Sequence, residues 1–221
     1  MKNVIVVAVH PDDETLGVGG TILKLNSIGA EIYWLIITEQ KKKFGVSKKI
    51  IEKRKKEILK VSNLFKFKKT FQLKLPANRL DTISLDVLIK KIKKICDQVK
   101  PELIFLPFEK DIHTDHFNVS RATQACIKSF RNPYIKKALA YEIISETNFN
   151  FMKGEKFKAQ TFFDISKFLK MKIKICEIYK SEISKHPFPR SILSIKSLAK
   201  LRGSQSGFKA AEAFQLLFEK I

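Results

Sequence analysis

Apolar runs of strand length and apolar stripes of helical spacing alternate along the first two thirds of the chain. Val4–Val9 is an unbroken, mostly β-branched run, as expected of a strand buried on both faces. A helical pattern follows from Thr15 to Ile28, stopped by Gly29, and then a second strand, Glu31–Thr38. Residues 48–65 read as a long helix, Phe71–Leu75 as a strand ending in the turn Pro76-Ala77-Asn78, and Ser84–Val99 as a helix. In that helix Leu85, Leu88, Ile89, Ile92, Ile95, Cys96 and Val99 form one stripe, with lysines opposite. Pro101 breaks the pattern before a fourth strand, Glu102–Leu106; a helix over 114–129 and a fifth strand, Lys137–Ile144, come next. The last third predicts a strand at Thr161–Asp164, helices over 166–182 and 191–202, and an irregular stretch around His186-Pro187-Phe188-Pro189. Strands alternating with helices imply a three-layer α/β sandwich with a mostly parallel sheet.

The length, 221 residues with 44% hydrophobic, suits one well-buried domain spanning 1–221. No apolar run reaches the length of a membrane span, and Val4–Val9 is too short for the core of a signal peptide. Cys96, Cys126 and Cys176 are odd in number, widely spaced and set in apolar patterns, so they read as reduced core residues of a cytoplasmic protein. The net charge of +21 raises the question of an anionic partner. Most of it is Lys spread along helix faces, with only six Arg and no nucleic-acid motif, so no nucleic-acid partner is expected. Attraction of an anionic substrate stays open.

Acidic residues are scarce, yet His10-Pro11-Asp12-Asp13-Glu14 directly follows the first strand. A second cluster, His113-Thr114-Asp115-His116, follows the fourth strand, and the two clusters hold three of the four histidines. Ligands of open α/β sheets bind beyond the carboxyl ends of the strands, so both clusters are expected on one rim. Two imidazoles and a carboxylate suit a catalytic divalent metal with a site left for water. The remaining acids and histidine supply proton-transfer groups, as a metal-assisted hydrolase requires. The same ligand set serves non-haem iron(II), which keeps Fe2+ open. On the helix over 50–65, Arg54 and Glu57 fall within the apolar face defined by Ile50, Ile58, Val61 and Phe65. Either Arg54 serves a ligand or the two form a structural ion pair.

The motifs VHPDDE at 9–14 and HTDH at 113–116 resemble those of the PIG-L/LmbE family of zinc-dependent N-acetylglucosaminyl deacetylases. Gly17, Gly19 and Gly20 follow the first motif, and Pro107 and Asp111 precede the second. The resemblance continues in RKKE at 54–57, YEIISETNF at 141–149 and RGSQSGFKAAEAF at 202–214. It implies a Rossmann-like sandwich and a Zn2+ ion held by His10, Asp13 and His116. It implies Asp12 as general base, and His113 as general acid or oxyanion stabiliser, hydrogen-bonded to Asp115. Arg54 would bind substrate; Asn148 is a candidate for the sugar pocket, and His186 and Arg190 are candidates for the rim or a neighbouring subunit. The expected activity is removal of acetyl from an amino-sugar conjugate, with a trimer or hexamer as the assembly; another amide substrate or a catalytically inactive basic binding protein are the alternatives.

Overall fold

The computed structural model describes residues 1–151, 154 and 156–221. Its centre is a seven-stranded sheet: β1 (Asn3–Ala8), β2 (Glu31–Glu39), β3 (Lys69–Pro76), β4 (Leu103–Pro107), β5 (Lys137–Tyr141), β6 (Thr161–Asp164) and β7 (Ala211–Glu219). Their order is β3-β2-β1-β4-β5-β7-β6. The first five are parallel, and β7 runs antiparallel to both β5 and β6. The expected mostly parallel α/β sandwich is therefore present. The helices are α1 (Asp13–Ser27), α2 (Lys48–Phe65), α3 (Leu85–Val99), α4 (Thr114–Ala125), α5 (Leu169–Cys176) and α6 (Ile192–Ser206). None is long and apolar enough to cross a membrane.

Period-two alternation sorts β1 between two cores. Val4, Val6 and Ala8 pack with Val18 and Ile22 of α1 and Val61 and Phe65 of α2, in a layer that also takes Ile173 and Ile195. Ile5, Val7 and Val9 pack on the opposite face with Leu88 and Ile92 of α3 and Val119 of α4. The helices thus change sides where β1 lies beside β4, and the carboxyl ends of these two strands frame a crevice.

Two expectations at the C-terminal end differ from the structure. The helix over 166–182 shrinks to Leu169–Cys176, and β7 had no counterpart in the hydrophobic pattern. Its sequence, AEAFQLLFE, alternates with neither period two nor helical period, because both faces of the strand are covered at its start and only partly at its end.

Helix α1 lies close enough to the sheet that a Cβ at Gly17 would stand 2.5 Å from Cδ2 of Tyr141. The Tyr141 ring is anchored by its hydroxyl, which donates to the Val7 carbonyl at 2.7 Å. Gly17→Ala is therefore expected to cost about 1–3 kcal/mol in denaturant unfolding. An unchanged midpoint would show that the ring yields freely.

Candidate active site

The first cluster is shaped by its own carboxylates. The Asp13 Oδ2 accepts the backbone N–H groups of Val9 (2.9 Å) and His10 (2.8 Å), folding the chain back as it leaves β1. Asp12, at the N-cap of α1, has φ 149°, a conformation that costs about 1–3 kcal/mol unless the surroundings impose it. Here Glu14 imposes it. Its fully buried carboxyl accepts the Asp12 N–H at 3.0 Å and the Tyr179 hydroxyl at 2.9 Å. Burial raises the Glu14 pKa to about 8.

From β4 the loop 108–113 delivers the second cluster. His113 is the N-cap of α4, with Nδ1 accepting the Asp115 N–H at 3.1 Å. His116 sits one turn into the helix, 1% exposed, and its Nδ1 meets the Asp111 Oδ2 at 2.8 Å. Its Nε2 is thereby left facing Asp13, 3.6 Å from Oδ2. His10 is arranged in the mirror sense: Nε2 meets the Asp115 Oδ2 at 3.2 Å, and Nδ1 lies 3.9 Å from the Asp13 Oδ2.

This donor set fits a divalent metal. Donor atoms of His10, Asp13 and His116 lie within 4.8 Å of one another. Each imidazole has one nitrogen oriented by a carboxylate and the other turned inward, the usual outer support of a metal ligand. The electrostatics agree. Burial opposes a charge on His116, yet Asp13 and Asp111 outweigh it and raise its pKa to about 9, so the cluster favours positive charge at this spot. His10, His113 and Asp115 form a second convergent group. That group is the poorer cage, because both Asp115 oxygens already accept backbone N–H groups, from Asn78 at 2.7 Å and Leu80 at 3.0 Å.

The expected side-chain bond from Asp115 to His113 is replaced by others. The Asp115 carboxylate holds His10, while the His113 Nε2 meets the Asn78 Oδ1 at 3.1 Å. The reason is local: the His113 Nδ1 is spent on capping α4, while the Asp115 carboxylate is taken up by the Asn78 and Leu80 N–H groups and by His10. Nor is His113 held protonated. Burial, then the neighbouring His10 and His116, lower its pKa to about 4.

Asp12 is buried in the cleft with its Oδ2 3.0 Å from the Arg190 Nη1. Burial and the adjacent Asp13 raise its pKa to about 7, against the opposing pull of Arg190. Arg54 forms the expected ion pair and also faces the cleft. It pairs with Glu57 through Nε at 3.2 Å, and it lines the cleft, donating to the Pro11 carbonyl at 2.6 Å and to Glu182. Two candidates lie elsewhere. Asn148 is exposed and accepts the Ser145 N–H within its own loop, and exposed His186 borders a separate surface depression beside α6. Arg190, four residues after His186, is the part of that segment that reaches the cleft.

Sequence reasoning missed Asn78, Glu146 and Glu182, which also line the cleft. Asn78 was within reach, since it follows the carboxyl end of β3 on the same rim. Glu182 comes from the irregular segment after α5, where no periodicity marks position.

Residues 5–127 match the PIG-L family, described as GlcNAc-PI de-N-acetylase. A diacetylchitobiose deacetylase of Thermococcus kodakarensis is 22% identical over 237 aligned positions, covering 98% of this chain and 84% of the relative. A probable N-acetyl-alpha-D-glucosaminyl L-malate deacetylase 2 of Bacillus cereus is 28% identical over 163 positions, covering 70% of this chain and 73% of the relative. The conserved protein TT1542 of Thermus thermophilus has the same fold, with a TM-score of 0.80 at 22% identity over 100% of this chain and 97% of that one. The family match spans more than half of the chain and includes both His/Asp clusters, and the chain accordingly belongs to the PIG-L family of deacetylases.

Proposed function

We propose that residues 1–221 form one zinc-dependent N-deacetylase domain that hydrolyses the acetamido group of an N-acetylglucosamine-type conjugate, releasing acetate and a free amine. The observation that carries this is the convergence of His10, Asp13 and His116, each histidine backed by its own carboxylate, beside the buried carboxyl of Asp12. Zn2+ is the metal of this reading, and Fe2+ fits the same ligands.

His10, Asp13 and His116 would hold a divalent cation, which would supply polarisation of the amide carbonyl and a more acidic water. Asp12, with its pKa near the operating range, takes the proton from water as the oxygen attacks the carbonyl carbon. The same carboxyl then hands that proton to the amide nitrogen as the C–N bond breaks, so one residue serves as base and acid. His113 is neutral at pH 7, and an Nδ1 that accepts the Asp115 N–H leaves the proton on Nε2. That N–H donates to Asn78 at rest and is placed to donate to an amide oxygen as negative charge develops there. The geometry favours the oxyanion role for His113 over the acid role. Arg190 and Arg54 hold the Asp12 region in place.

The three buried, unpaired cysteines support a cytoplasmic setting. Sedimentation of the purified protein reads whether it assembles as the expected trimer or hexamer.

The test is acetate release by zinc-loaded protein from a panel of N-acetylglucosamine conjugates. Chelation is expected to lower the rate by at least about a hundredfold, with Zn2+ or Fe2+ restoring it. Metal binding without acetate from any conjugate would remove the glucosamine substrate class.

A further inference from the structure

We infer that the cleft selects an electrically neutral sugar conjugate over an anionic one, and that Glu182 is the residue that sets this preference. The inference deepens the deacetylase reading and rests on it for the identity of the sugar. What carries it is the way the cations of the cleft are already occupied.

Three cationic residues line the cleft: Arg54, Lys55 and Arg190. The Arg54 guanidinium gives Nη1 to the Pro11 carbonyl at 2.6 Å, Nε to Glu57 at 3.2 Å and Nη2 to Glu182. Arg190 gives Nε to the Ser145 hydroxyl at 2.8 Å, Nη2 to Glu146 at 3.3 Å, and Nη1 to Asp12 at 3.0 Å and Glu182 at 3.3 Å. Lys55 pairs with Glu52 at 2.9 Å. Among the described residues lining the cleft, no cation is without a carboxylate. A carboxylate or phosphate on a ligand binds Arg best through two parallel N–H bonds, and both guanidinium forks are engaged by the protein.

Glu182 is the bridge between the two arginines. Its Oε1 takes Arg54 and its Oε2 takes Arg190, so an anionic group has to displace it or sit against it. Its side chain is 26% exposed and lines the cleft, so a ligand there can reach it. Five carboxylates line the cleft (Asp12, Asp13, Glu39, Glu146 and Glu182), two more than its lysine and arginines together. A divalent cation restores balance, and an anionic conjugate would upset it. Gln40, Gln72 and Asn78 supply uncharged donors and acceptors suited to hydroxyls. The +21 charge of the whole chain attracts anions at a distance, but this site is built against them.

The experiment compares two N-acetylglucosamine glycosides on zinc-loaded protein: the methyl glycoside and its carboxymethyl counterpart, which carries a carboxylate in the same place. Acetate release gives kcat/KM, and calorimetric titration gives Kd for both. The native protein is expected to favour the methyl glycoside by at least about tenfold, and Glu182→Gln to narrow or invert that ratio by a similar factor. Equal or inverted preference in the native protein, an unchanged ratio in Glu182→Gln, or binding of neither glycoside overturns the inference. Tighter binding of the methyl glycoside without acetate from either, with the ratio shifted in Glu182→Gln, leaves the charge preference standing and defeats the deacetylase reading.

Discussion

Asp12→Asn is expected to lower kcat for acetate release by about 10²–10⁴-fold while leaving one metal per chain, because it removes a proton-transfer group and spares the ligands. Asn keeps an oxygen for the Arg190 guanidinium, which Asp12 meets at 3.0 Å, so the cleft should keep its shape. Asp12 must be ionised to accept a proton. Burial and Asp13 raise its pKa to about 7, Arg190 opposes them, and a dication beside Asp13 opposes them further. The rate should therefore rise with pH along an acid limb centred at or below about 7. Arg190→Gln takes away a cation that favours the carboxylate, so it should move that limb upward. A loss of less than about threefold in Asp12→Asn, or metal lost together with activity, would reassign the base.

The largest effect on stability is expected at a buried pair that supports α1 from behind. Lys172 of α5 is 4% exposed, and its Nζ lies 2.7 Å from both the Glu212 Oε1 and the Leu16 carbonyl. Glu212 of β7 in turn accepts the mid-helix N–H groups of Gly20 (2.8 Å) and Thr21 (2.7 Å). The pair is thus inserted into the hydrogen bonding of α1, beside Gly19, where a Cβ would stand 3.2 Å from the Lys172 Cγ. Lys172→Met leaves a buried carboxylate without its cation and should cost about 3–5 kcal/mol. For a chain of this size that lowers Tm by roughly 6–20 °C. Adding Glu212→Gln removes the stranded charge but keeps an acceptor for the helix, so the double variant should recover more than half of the loss. A single variant within about 1 kcal/mol of the native protein would mean that water reaches the pair.

Most of the sheet was legible because strands buried on both faces are written as unbroken apolar runs, as in Val4–Val9, and amphipathic helices separate them. The rim position of the two clusters followed from strand direction alone. Pairings within the cleft were less accessible. Asp115 stands two residues from His113, and the family resemblance implied that they bond. Yet the start of α4 turns the His113 ring to cap the helix, and the β1–β4 adjacency brings His10, more than a hundred residues away, to Asp115 instead. Asn148 and His186 lay in segments whose neighbours do reach the cleft, Glu146 and Arg190, and no periodicity distinguished which residue of each loop turns inward.

The sequence by itself determined the residue types of the metal cluster, their placement at two strand ends, and the alternation that builds the α/β layers, because these depend on chemistry and local spacing. Only the tertiary structure decided which carboxylate orients which imidazole and how β7 enters the sheet between β5 and β6. It also decided that Glu182 bridges two arginines far apart in the chain. Those outcomes depend on the distances between remote segments after packing, and a single chain's pattern carries no record of them.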